Sequence, residues 1–180
     1  MQWQNSKQKY GAISIGLHWL MAILLVAVYA CIELREFYPK GSGPREAMKS
    51  WHFMLGLTVF ILVWLRLLPL ISGVFPKIEP KPPAFLQLPS RLMHLSLYAL
   101  MIAMPLLGWL LLSAAGKPIP FFGLELPTLI SESKSAADYL KEIHESGGTI
   151  GYFLIGLHTT AALFHDYILG DNTMRRMLGR

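Results

Sequence analysis

Charge and cysteine are what this chain has least of. Only 15% of its 180 residues are charged, against 53% hydrophobic, and the mean hydropathy is +0.43. Soluble domains carry about 25% charged residues, so an ordinary water-soluble globule is excluded at the outset. Cys31 stands alone, which removes any internal disulfide framework and any cysteine-built zinc or iron–sulfur centre. No C-x-x-C-H occurs either, so haem attachment through thioethers is excluded. No internal repeat and no low-complexity tract is present. The net charge of +5 sits in a hydrophobic chain, where it reflects membrane topology and not nucleic-acid binding.

What is present is a set of long apolar runs. About 20 mostly apolar residues cross a hydrocarbon core of about 30 Å. Four stretches qualify, at about 12–32, 51–71, 92–115 and 147–169. The pattern predicts one all-α domain over 1–180, a transmembrane four-helix bundle of up-and-down topology. The first run is too long for a signal-peptide core and contains His18 and Trp19, so it reads as an uncleaved span. Lys7, Lys9, Arg66, Lys77, Lys81, Arg91, Arg175, Arg176 and Arg180 share one side. Arg35, Lys40, Arg45, Lys49, Lys117, Lys134 and Lys141 share the other. Nine against seven, with three of the seven in a long loop, puts both termini in the cytoplasm.

The connections are simple. Residues 33–50 form a short loop with Gly41, Gly43 and Pro44 as turn signals. Residues 76–91 hold five prolines and read as extended and stiff. In the third loop, Phe121 to Leu124 is apolar enough to lie on the membrane surface. Ser135 to Glu145 reads as a short helix capped by Ser133 or Ser135.

The six histidines carry the chemistry: His18, His52, His94, His144, His158 and His165. Ionisable residues in spans are rare, face the bundle interior and are functional by default. With alternating directions, His18 and His94 lie at the cytoplasmic level and His52 at the outer level. His158 follows His144 by fourteen residues, a rise of about 21 Å and almost four full turns. One helix therefore offers an outer and an inner imidazole on nearly one face. His52 with His144, and His18 with His158, make two stacked bis-histidine sites; His94 is the rival for the inner position. Two imidazoles alone are a poor zinc cage. Haem brings four nitrogens of its own and needs only two axial ligands. Gly56, Gly108, Gly147, Gly148, Gly151 and Gly156 leave room for a flat ring, although any single one reads equally as a helix-packing contact.

The segments Gly16-Leu17-His18-Trp19, Trp51-His52, and His144 through Gly156-Leu157-His158 resemble the bacterial cytochrome b561 family. So do Gly116-Lys117-Pro118-Ile119 and the tail Asp171-Asn172-Thr173-Met174-Arg175-Arg176-Met177. That family comprises di-haem, four-helix membrane cytochromes, distantly similar to the cytochrome b subunits of nickel–iron hydrogenases. The resemblance runs the length of the chain. It implies two noncovalent b-type haems in the bundle core, with His18, His52, His144 and His158 on the irons. It also implies a multi-pass protein of the bacterial inner membrane, surrounded by lipid and exchanging electrons with quinone at the cytoplasmic side. Relatives often have paired histidines where this chain has His165-Asp166.

His165 lies seven residues beyond His158, about 10 Å nearer the cytoplasm on nearly the same face. It is the candidate quinone contact. Lys81 in the proline-rich loop is a second candidate donor, or a solvated lysine. Arg66 is placed to pair with a haem propionate or to anchor the span end. The outer donor is unidentified from sequence. Superoxide, to which relatives have been linked, gains no support from the outer net charge, although Arg45 and Lys49 form a local cationic cluster. The alternatives are an electron-transfer or anchoring subunit for a soluble redox partner, and a haem-free transporter or metal-binding bundle.

Overall fold

The computed structural model describes residues 2–72 and 74–179, with the side chains of residues 70–72 left aside; Arg180 lies outside them. Four long helices follow one another: α1 Ala12–Leu34, α2 Gly43–Ser72, α3 Gln87–Ala114 and α4 Lys134–Tyr167. A five-residue helix, α5 Thr173–Met177, closes the chain. Helix α1 packs along α2, α2 along α3 and α3 along α4, giving the up-and-down bundle.

Three helical stretches, Ala12–Phe37, Gly43–Pro69 and Ala84–Ala114, are long and apolar enough to cross a membrane. Helix α4 has the length but not the apolarity: its first turns carry Lys134, Asp138, Lys141, Glu142 and Glu145, and its apolar part is diluted by Gly147, Gly148, Thr149, Gly151, Gly156, His158, Thr159 and Thr160. The expected separate helix at 135–145 is in fact the beginning of α4. Ser133 caps it, its hydroxyl accepting from the Ala136 amide. His144 and His158 thus ride on one unbroken helix.

Two boundaries differ from the sequence expectation for local reasons. Helix α2 starts at Gly43, eight residues before the apolar run, because Pro44 suits the first helical turn and Glu46 favours its positive end. The proline-rich connection is extended only to Pro83. A short 3-10 turn, Ala84–Leu86, leads into α3, whose first turn tolerates Pro89 because the amide lost there has no helical partner.

Helix α3 ends in a Schellman motif. Gly116, at φ +60°, donates to Ser113 O, and Lys117 donates to Leu112 O. Ser113 is fully buried; its hydroxyl accepts from the Leu129 amide and donates to Trp109 O. The returning loop is therefore fastened to α3. The apolar piece expected to lie flat forms a two-residue β-hairpin, Pro120–Phe121 with Leu124–Glu125. Phe122 at its tip touches Trp51.

The core is thin. Met21, Val59, Val63 and Met101 form one buried cluster, and Leu57, Leu112 and Ile119 another. Large apolar side chains such as Ile23, Val26, Leu95 and Phe153 point outward, each at least 65% exposed. That is the surface of a bundle solvated by hydrocarbon.

At the first and last helices, small residues set the separation. Tyr29 of α1 lies against Gly151 of α4, where a β-carbon would overlap its hydroxyl, and donates to Gly148 O at 2.9 Å. Gly151→Ala is expected to overpack this contact and cost about 1–3 kcal/mol. Adding Tyr29→Phe, which removes the hydroxyl, should recover part of the loss. Thermal unfolding of the three variants in detergent checks this; equal melting temperatures for Gly151→Ala and wild type would contradict it.

Candidate haem and electron-transfer site

The bundle has two distinct ends. One gathers the N-terminal segment, the 76–91 connection and the tail. Trp19 donates to Met177 O, Arg176 donates to Pro76 O, and Arg176 also lies over the Tyr10 ring. The other holds the 35–42 turn and the hairpin. The expected pairing of histidine levels follows this division.

Near the hairpin end, His52 of α2 faces His144 of α4, ring centres 6.1 Å apart. Toward the terminal end, His18 of α1 faces His158 of α4 at 6.4 Å. All four are half-buried. Half of each separation is about 3 Å, which matches a metal–nitrogen bond of about 2.0 Å plus roughly one ångström from nitrogen to ring centre. The separations thus leave room for a metal between the rings of either pair. Among the described residues no three His, Cys, Asp or Glu side chains gather into a cage. The donor set thus suits a group that brings its own equatorial ligands.

The space fits such a group at the His52–His144 level. A cavity of about 720 Å³ lies between the helices, reached by His52, His144, Gly56, Gly108, Met101 and Met104. At Gly108 a β-carbon would stand 3.3 Å from the His144 ring, so glycine keeps the wall clear. His52 Nδ1 donates to Val28 O at 2.9 Å, which leaves Nε2 without a proton and able to ligate. His144 Nδ1 is buried and has no hydrogen-bond partner among the described residues.

At the other level His158 has two imidazole neighbours, His18 and His94. His94 of α3 is 5.4 Å from His158, nearer than His18, and donates from Nδ1 to Ser90 O, leaving its own Nε2 available. It is exposed, and its separation is nearly an ångström short of the two other pairs. His18 has the matching separation but accepts a hydrogen bond at Nδ1 from Arg66 at 2.6 Å. The second guanidinium nitrogen of Arg66 is buried and finds no partner among the described residues.

The chain belongs to the prokaryotic cytochrome b561 family. The family so described matches residues 9–180. Cytochrome b561 homolog 1 of Escherichia coli (strain K12) is 38% identical over 172 residues, covering 96% of this chain and 98% of its own length. A Yersinia pestis protein named probable superoxide oxidase CybB is 37% identical, over 95% and 96%. Cytochrome b561 homolog 2 of Escherichia coli is 30% identical over this whole chain. A cytochrome b561 is an integral membrane protein that carries b-type haem and transfers electrons, and this chain is one.

The remaining sequence candidates lie at the ends of this cytochrome. His165 is not free at the membrane edge: its Nδ1 donates to Oδ2 of Asp171 at 2.5 Å. Lys81 is exposed on the proline-rich connection, two residues after Glu79, which is bonded to Asn172. The Arg45–Lys49 cluster is neutralised. Arg45 is buried and grips both oxygens of Glu36, while Lys49 pairs with Glu46 at 2.6 Å. Sequence reading passed over Asp171 as anything but a family marker. Its signal, an acid six residues after a histidine and just past a helix end, is too weak to notice without the fold.

Asp171 is only 1% exposed. Burial pushes its carboxyl up, but hydrogen bonds from Thr173 and His165 outweigh that and hold it below the usual aspartate range. A depressed carboxyl stabilises the fold above its unfolded value of about 3.9 and loses that contribution as pH falls through the native value. Wild type should therefore exceed Asp171→Asn in stability by about 2 kcal/mol near neutral pH, and the gap should close below about pH 4. Melting curves across pH 3–7 check this, and a gap independent of pH would contradict it.

Proposed function

We propose that this cytochrome holds two noncovalent b-type haems, one between His52 and His144 and one between His18 and His158, and passes electrons across the bacterial inner membrane to quinone at the cytoplasmic side. The reading is carried by the two ring pairs, 6.1 and 6.4 Å, spaced along one face of α4. It places both termini in the cytoplasm, with the His18–His158 pair on that side. Haem held between two imidazoles would supply one-electron exchange.

The protein's part is positional. Val28 O fixes the ring of His52. For His18 to bind through Nε2, its Nδ1 must carry the proton, so Arg66 must release it. The freed guanidinium, one nitrogen of which finds no partner among the described residues, would be available to a haem carboxylate. His94 would neighbour that haem without ligating it.

Quinone sits at the terminal end, with His165 and Lys81 as its polar contacts. Superoxide as donor follows the name of the Yersinia relative. Two superoxide anions then become two dioxygen molecules, and their two electrons with two protons convert quinone to quinol. A histidine at that interface donates a hydrogen bond and relays a proton near neutral pH.

Two measurements test this. Pyridine haemochrome analysis should give close to two haems per chain, all extracted by acidified organic solvent. His18→Ala should hold one haem and His94→Ala two; the reverse would exchange their roles. In detergent with a soluble quinone analogue, His165→Ala should keep both haems while reoxidation of the reduced protein slows by about tenfold or more. Unchanged reoxidation would make His165 an interfacial anchor only.

A further inference from the structure

The tail just after α4 makes two sets of bonds with adjacent residues. Asp171 reaches back to α4: its Oδ2 accepts from His165 Nδ1 at 2.5 Å, and its Oδ1 accepts from the Thr173 amide at 2.9 Å. Its own amide donates to His165 O. Asn172 reaches across to the proline-rich connection. Its Oδ1 accepts from the Glu79 amide, and its amide donates to Glu79 O, both at 3.0 Å. Arg176 then clamps Pro76 O of the same connection from a buried position. Neither candidate quinone contact is thus fixed by its own element alone.

From this geometry we infer that Asp171 and Asn172 are positioning residues for the quinone site. Asp171 sets the ring of His165, and Asn172 sets the backbone from which Lys81 projects. The inference rests on the quinone reading above and adds two residues with separate tasks. A carboxylate that accepts from Nδ1 fixes the tautomer and directs Nε2 outward. It also stabilises the imidazolium formed when the ring takes up a proton, without itself becoming protonated. His165 then passes that proton from Nε2 to a quinone oxygen and is reprotonated from cytoplasmic water. Asn172 touches no proton in this scheme. Its paired bonds to Glu79 hold the connection two residues before Lys81, so it acts on binding.

The two tasks predict different kinetic signatures. Asp171→Asn places an amide against Nδ1, and one amide orientation forces the opposite tautomer. The limiting rate of quinone-analogue reoxidation should fall by about tenfold or more, with the half-saturating concentration little changed. Placed on His165→Ala, the same change should add nothing further. Asn172→Ala should do the converse, raising the half-saturating concentration severalfold at an unchanged limiting rate, and adding nothing on Lys81→Ala. Both haems and the reduced-minus-oxidised spectrum should be retained throughout. Asn172 is only half-buried, so its variant decides the second task even where Asp171→Asn assembles poorly.

The controls separate the levels of failure. If His165→Ala and Lys81→Ala slow reoxidation while Asp171→Asn and Asn172→Ala match wild type, the positioning roles are wrong and the quinone site stands. If His165→Ala and Lys81→Ala also match wild type, the site itself lies elsewhere and the inference falls with it. Equal, additive losses in both parameters for both tail variants would mean that the tail merely holds the fold together, and would also overturn it.

Discussion

An imidazole nitrogen at bilayer depth has no water to bond, so each one must be given a partner by the protein or by something the protein holds. That constraint organises this cytochrome. Helix α4 carries His144 and His158 on one face, and the rest of the bundle is disposed to answer them. α2 supplies His52 at one level and α1 supplies His18 at the other. The antiparallel run of α1 and α2 makes this possible, since it puts a histidine near the start of each helix at opposite ends. The thin core follows from the same arrangement. Space that aliphatic side chains fill in a soluble bundle is left between the helices as a cavity of about 720 Å³.

With little buried apolar volume, the helices are located by small residues and backbone hydrogen bonds. Lipid is as apolar as leucine, so close backbone approach and interhelical hydrogen bonds take over the work of a hydrophobic core. Tyr29 against Gly151 sets the α1–α4 distance. Ser113, Trp109 and the Schellman cap secure the hairpin end to α3. At the opposite end Asp171, Asn172 and Arg176 bind the tail to α4 and to the proline-rich connection. Each device uses directional bonds, which keep their strength in a low-dielectric surround.

Much of this was legible in the sequence because hydropathy and helical pitch are one-dimensional signals. The all-α bundle, the positions of α1 and α3, and the pairing of histidine levels all come from run length and from the fourteen-residue step between His144 and His158. What escaped depends on distances across the fold. The cation cluster of Arg45 and Lys49 looked open to anions, but Glu36 and Glu46 fold back onto it. The third imidazole, His94, shared a depth with His18 on paper, and only the ring separations distinguish 5.4 from 6.4 Å. Helix α4 ran beyond the apolar stretch because Ser133 starts it thirteen residues earlier than hydropathy could register.

The bond from Trp19 to Met177 joins residues 158 apart in sequence. Met177 is made after every residue of α1 through α4, so during synthesis this is the last of these contacts to become available. The seam between the first and last helices is joined by Tyr29 to Gly148 and Tyr152 to Glu33 toward one end, and by Trp19 to the tail at the other. Among the described residues, a wide, flat molecule entering from the side through that seam would part three hydrogen bonds and the Tyr29–Tyr152 ring contact, and no helix would have to unwind to admit it.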